Sequence, residues 1–178
     1  EDLDSDIDFH AQTAQKVLKV LRAEEGRQVA KAINFGVIYG MGPTSLALRC
    51  KITPAEARKY RSRWFARYPL VAKFQLRLID IAKKNGFVET ILGRRITVES
   101  LSRKGQRQVL NHVVQGSVAD VVKLAMVRLH EQLRKHDARI VLQVHDELIL
   151  EVDDSSCDEL ATLAKRTMEG AMHLKPAL

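Results

Sequence analysis

Two cysteines in 178 residues are too few for a disulfide framework. Cys50 and Cys157 also lack metal-ligand spacing, so they read as small inert thiols in a reducing compartment. No apolar run approaches the length of a membrane span, and the acidic opening Glu1-Asp-Leu-Asp-Ser-Asp6 is no secretion signal. Internal repeats and low-complexity segments are missing too. The chain carries no initiator methionine and begins in what reads as the middle of a loop, which suggests a piece of a longer polypeptide.

What is present is ordinary in amount. Hydrophobic residues make up 46% and charged residues 29%, enough for one domain with a real core or for parts of two subdomains. The balance of charge is less ordinary. A net charge of +7 and a pI near 9.6 favour a polyanionic partner, nucleic acid first. A basic but uninvolved surface is the other reading.

The pattern along the chain is mostly helical. An apolar stripe of Ala14, Val17, Leu18 and Leu21 predicts a helix over 10–22. A second runs over 24–39 and stops at Gly40, Gly42 and Pro43. Thr53-Pro54-Ala-Glu56 has the cap, the N1 proline and the N3 glutamate of a helix start, and this helix ends near Tyr68-Pro69. Another follows over 70–84, closed by Asn85-Gly86. Short β pieces flank Gly93-Arg94-Arg95, and a long helix spans 106–136. Ser156-Cys-Asp-Glu159 reads as a capping box for a last helix through Met172. Helices, then a hairpin, then a helix make the fold class α+β.

The hairpin breaks a rule by what it lacks. Residues 139–152 alternate, with Ile140, Leu142 and Val144 before the turn and Leu148, Leu150 and Val152 after it. A two-residue turn asks for glycine or Asn-Gly, because φ must go positive. This one offers His145-Asp146, followed by Glu147. Ionisable groups at an apolar tip are either tolerated turn residues or a functional site.

On the second helix, Arg27, Lys31, Phe35 and Tyr39 recur every four residues and form one ridge. Val29, Ile33 and Val37 form a ridge on the opposite side, the natural core face. Cations followed by aromatic rings suit a ligand with phosphates at one end and a flat base at the other. The alternative is a helix buried on two sides, with Gly36 and Gly40 serving close packing.

The stretch Arg27-Gln-Val-Ala-Lys31-Ala-Ile-Asn34-Phe35-Gly36-Val-Ile-Tyr39-Gly40 resembles the nucleotide-binding helix of family A DNA polymerases, the bacterial DNA polymerase I group. Gln143-Val-His145-Asp146-Glu147 resembles that family's carboxylate hairpin. Between and before them, His10-Ala-Gln-Thr13-Ala14, Tyr68-Pro69, Val88-Glu89-Thr90, Gly93-Arg94-Arg95, Gln115-Gly116 and Ala119-Asp120 match in the same order. The resemblance spans nearly the whole chain.

It implies a mostly helical fingers subdomain and a partial palm with an antiparallel β-hairpin, an incomplete right-hand fold. Residues 1–22 would connect palm to fingers, 23–105 form fingers, and 106–178 form part of the palm. By resemblance, Arg27, Lys31 and His10 would contact the triphosphate of a deoxynucleotide, and Lys31 would neutralise or protonate the leaving pyrophosphate. Phe35 would pack on the sugar and Tyr39 would guard the template-base position. Asp146, supported by Glu147, would hold catalytic Mg2+, two ions in the complete enzyme. Arg107, Asn111 and Gln115 would contact the primer–template minor groove, and His145 the primer end. Arg94 and Arg95 are weaker candidates for template backbone. Partners would be primer–template DNA, deoxynucleoside triphosphates and the remainder of the polymerase, with no membrane. The location would be bacterial cytoplasm, at the nucleoid, or a phage-infected cell.

The resemblance leaves out the family's upstream catalytic aspartate, the thumb and a final palm strand, so this chain alone is expected to be inactive. A split-polymerase subunit and a non-catalytic basic module binding DNA or nucleotide remain open. A metal hydrolase using Asp6, Asp8, His10 and Asp146 has only residue types behind it.

Overall fold

The computed structural model describes residues 8–18 and 23–174, and the fold is α+β. Two compact units divide the chain: residues 1–89 with 95–113, and residues 90–94 with 114–178. Predicted positions 1–7, 19–22 and 175–178, including Asp6 and Leu21, lie outside the described residues.

In the first unit, α1 (Phe9–Thr13) starts where the Asp8 carboxylate accepts from the His10 and Ala11 amides. It passes into a wider π-helical turn, Ala14–Leu18. α2 (Ala23–Ile38) buries Ile33 and Val37 of its apolar ridge completely, and Ala30 beside them, while Val29 is partly buried. Gly40, at φ 72°, ends it in the left-handed region. The buried Gln75 amide donates to the Val37 and Ile38 carbonyls at the end of α2.

One helix escaped the sequence reading. α3 (Pro43–Cys50) begins directly after α2, because Pro43 is its first residue and Gly42 its extended cap. Pro43 thus opens an element as well as following one. A Cβ on Gly36 would stand 3.0 Å from Leu46 Cδ1, so glycine there permits the approach of α2 and α3. α4 (Pro54–Arg67) has the full reciprocal capping box of Thr53 and Glu56. α5 (Pro69–Asn85) ends at Gly86, φ 75°. The core of α1–α4 centres on Ile33, Val37, Leu46, Ala57 and Trp64. β1 (Phe87–Glu89) pairs antiparallel with β2 (Arg95–Thr97). α6 (Arg103–Leu133) starts three residues before its predicted position, and its turns through Val113 belong to this unit. Leu78, Val88, Val109 and Leu110 form a second cluster.

The second unit holds the rest of α6, β3 (Ala138–Val144), β4 (Glu147–Val152) and α7 (Cys157–Glu169). Leu129, Leu133 and Leu160 are its buried centre, with Ile140, Leu148, Leu150 and Val152 packed on them. The predicted alternation of β3 fails halfway. The register runs Ile140 to Leu150, then Leu142 to Ile149, so Val141 is an extra, bulged residue. A one-residue slip sends side chains to the other face. Leu142 and Val144 accordingly join Ile149 among the exposed residues, at 52%, 41% and 47%. Ser156 makes no side-chain cap bond either, because a 3-10 turn, Asp154–Ser156, feeds straight into α7.

Residues 90–94 are fastened to α6 by a carboxylate. Buried Asp120 accepts from the Thr90 hydroxyl and from Arg94 Nε at 2.8 Å, and Arg94 also donates to the Gly116 carbonyl at 3.0 Å. The Thr90 bond first, then Arg94, holds the Asp120 carboxyl below its ordinary range. A lowered folded pKa adds stability at pH above the ordinary aspartate range, and that stability is lost as pH falls through the lower folded value. Asp120→Asn is expected to lower the unit's stability at neutral pH by about 1–3 kcal/mol and to flatten this acid limb. Urea unfolding at neutral and acidic pH measures both.

Candidate functional site

The ridge on α2 faces away from the core. Lys31 is exposed, Phe35 is 41% exposed, and Arg27 and Tyr39 are half-buried, while Ile33 and Val37 on the other side are sealed. Phe35 and Tyr39 line a cleft of about 540 Å³ with Gly36, Met41, Arg49, Lys104, Arg107, Gln108 and Asn111. Two aromatic rings, two side-chain amides and three cations share this space. Flat, aromatic and amide-bearing walls with cations at hand suit a nucleobase and phosphates.

Four residues expected from the sequence therefore converge: Phe35 and Tyr39 from α2, and Arg107 and Asn111 from α6. Arg49, Lys104 and Gln108 were not foreseen. Their only sequence signal is charge or polarity on helices dense in both, which singles none of them out.

His10 stands beside this ridge, its ring 5.6 Å from that of Phe35. Burial first lowers its pKa; Arg27 and Lys31 push the same way and Asp8 opposes them. The Asp8 carboxylate contacts Arg27 Nε at 2.6 Å. That bond, then the Ala11 amide, holds the Asp8 carboxyl below its ordinary value.

The hairpin tip belongs to the second unit. His145, Asp146 and Glu147 are exposed. His145 takes φ 56°, and Gln143 Nε2 donates to its carbonyl at 2.9 Å. A left-handed non-glycine residue costs about 1–2 kcal/mol. Histidine is among the non-glycine residues enriched in this region. Asp146 edges an apolar hollow of about 280 Å³ lined by Ile91, Val118, Val121, Val122, Ala125, Met168 and Leu174. Among the described residues, no three His, Cys, Asp or Glu groups gather for a metal. Asp146 and Glu147 provide adjacent hard oxygen donors. That fits a share of a Mg2+ site, since Mg2+ commonly takes one or two carboxylates plus substrate phosphates and water.

The remaining candidates are exposed as well. Arg94 is engaged by Asp120, and Arg95 bonds Glu89 at 3.1 Å while lying over the Phe87 ring at 4.6 Å. Gln115 is exposed on α6 within the second unit.

The model of DNA polymerase family A matches residues 1–178, and the chain belongs to that family. Among its relatives, DNA polymerase I of Caldicellulosiruptor bescii is 37% identical over 98% of this chain. The thermostable DNA polymerase I of Thermus thermophilus is 39% identical over 96% of it. The chain spans 22% of the length of each. A solved structure, the POL domain of Pol1 from M. smegmatis in complex with DNA primer-template and dNTP, superimposes with a TM-score of 0.85. It is 33% identical and covers 94% of this chain and 32% of its own. No helix among the described residues is long and apolar enough to cross a membrane.

Proposed function

We propose that these residues supply the nucleotide-binding helix and one catalytic carboxylate of a DNA-directed DNA polymerase, which adds deoxynucleotides to a primer 3′-end in replication or repair. The observation that carries this reading is the cleft in which Phe35 and Tyr39 meet Arg107 and Asn111. The M. smegmatis relative, bound to primer-template and dNTP, supports the same partners for this chain. Residues 23–105 then act as fingers and 106–178 as part of the palm, with 1–22 joining them.

In this reading Arg27 and Lys31 bind the triphosphate, with His10 as a third contact. Phe35 meets the sugar. Tyr39 holds the template-base position until the new pair enters. Arg107, Asn111 and Gln115 donate to minor-groove acceptors that correct base pairs share, and His145 steadies the primer end. Asp146 with Glu147 would hold divalent metal, Mg2+ in the first instance, which supplies activation of the 3′-oxygen and charge neutralisation at the leaving oxygen. The side chains contribute position and fixed charge. Lys31 neutralises, and can protonate, the departing pyrophosphate.

One hairpin carboxylate with its neighbour is half of such a clamp, so primer extension requires more of the polymerase than these 178 residues. The exposed apolar residues Val141, Leu142, Val144 and Ile149 are a natural seat for that remainder.

The family resemblance associates a phenylalanine at the position of Phe35 with rejection of dideoxynucleotides. Phe35→Tyr, in an active polymerase containing these residues, is expected to relax that rejection. Competing dideoxy- against deoxynucleotide in single-turnover extension reads the ratio directly, and an unchanged ratio would remove Phe35 from the sugar contact.

A further inference from the structure

Asn34 immediately precedes Phe35 on α2, and its side chain turns inward, 1% exposed. Trp64 of α4, equally buried, places Nε1 2.6 Å from Asn34 Oδ1. An indole N–H can only donate, so the Asn34 oxygen must face Trp64. The amide nitrogen then faces His10, and the Asn34 Nδ2 to His10 Nδ1 distance is 3.0 Å. That NH2 is a donor, so His10 Nδ1 must accept. A neutral imidazole whose Nδ1 accepts carries its proton on Nε2. The Thr13 hydroxyl, 3.2 Å from Asn34 Oδ1 and 3.0 Å from the Phe9 carbonyl, donates to one of these oxygens and leaves the assignment unchanged.

Nδ1 and Nε2 point in nearly opposite directions, so an Nδ1 tied to the interior leaves Nε2 directed away from it. Were the proton on Nδ1, His10 would turn a lone pair outward, which repels a phosphate oxygen. Were both nitrogens protonated, Nδ1–H would confront the Asn34 NH2, donor against donor.

We infer that Asn34, oriented by Trp64, is a positioning residue that locks His10 as the neutral Nε2–H tautomer, so that a triphosphate meets a donor. The inference rests on the nucleotide reading above and names what prepares that site. Charged groups facing His10 are Asp8 at the cap of α1 and Arg27 and Lys31 on α2. The other ring contacts, Phe9 and Phe35, carry no charge.

The test is made on the 178-residue chain. Long-range proton–nitrogen spectra report the His10 tautomer, with the signal assigned by its loss in His10→Gln, and titration with inorganic tripolyphosphate reports affinity. The wild type shows Nε2–H at neutral pH. Trp64→Phe, which frees the amide to flip, gives mixed tautomers and weakens tripolyphosphate binding several-fold, up to about tenfold. In a His10→Ala background the same Trp64→Phe change has no further effect on affinity, because it acts through the imidazole. Asn34→Asp keeps the acceptor for Trp64 but presents an acceptor to the ring as well, so His10 moves to Nδ1–H or imidazolium and its pKa rises.

A wild-type Nδ1–H tautomer overturns the lock. So does a Trp64→Phe tautomer like that of the wild type, or an equal loss of affinity with and without His10. If the wild-type chain binds no tripolyphosphate while the Nε2–H tautomer stands, the failure is that of the nucleotide reading, and the phosphate role of His10 falls with it.

Discussion

Asp146→Ala, in a polymerase that contains these residues, is expected to lower single-turnover primer extension by about a thousandfold. The reason is its position. Asp146 lies at the exposed turn between β3 and β4, so its carboxylate serves no core contact and its loss leaves Ile140, Leu148, Leu150 and Val152 seated on α6 and α7. Thermal unfolding should therefore stay within a degree or two of the parent, since exposed positions rarely move stability by more than about 0.5 kcal/mol. Asp146→Asn should do equal damage, because it keeps the size and removes the charge needed to hold a divalent ion. Glu147→Gln should cost much less. Extension by Asp146→Ala within tenfold of the parent would take Asp146 out of the chemistry.

The second large effect is at Lys31. It is exposed on the ridge of α2, and alanine is at least as good a helix former, so Lys31→Ala should leave folding intact. If Lys31 neutralises or protonates the leaving pyrophosphate, the rate of the chemical step falls by about a hundredfold, more than the affinity for the nucleotide falls. Lys31→Arg separates the two roles. It restores charge, and with it binding, but an arginine holds its proton too tightly to give it up. Arg27→Ala, in contrast, should raise KM chiefly. Rapid-quench extension across nucleotide concentrations measures rate and affinity separately. A Lys31→Ala enzyme that is altered only in affinity would reduce Lys31 to a phosphate anchor.

Much of this was legible because local chemistry and tertiary packing agree. Thr53 with Glu56, Pro69 and Gly86 mark helix ends by groups acting within a few residues, and each end lies within a residue or so of where those groups put it. The four-residue ridge of α2 was readable for the same reason: one helix sets its spacing. The failures share the opposite cause. Pro43 reads as a stop because Gly40 and Gly42 precede it, yet a short non-helical link lets it start α3. The Val141 bulge turns Leu142 and Val144 outward, and nothing in an apolar run marks which residue is extra. Ser156 has a cap's sequence but not a cap's backbone. The Arg94 pairing was equally unmarked, because Asp120 lies on another element. The role of Asn34 was hidden for that reason too. Its partners Trp64 and His10 lie on two other helices, 30 and 24 residues away.

Photocrosslinking tests the central claim most directly. An azido-substituted deoxynucleoside triphosphate, bound to the polymerase with primer–template and activated by light, labels whatever lies against the incoming base. Label on the tryptic peptide Ala32–Arg49, which carries Phe35 and Tyr39, competed away by the natural nucleotide, is the predicted result. Competable label confined to other peptides, with Ala32–Arg49 clean, would contradict it.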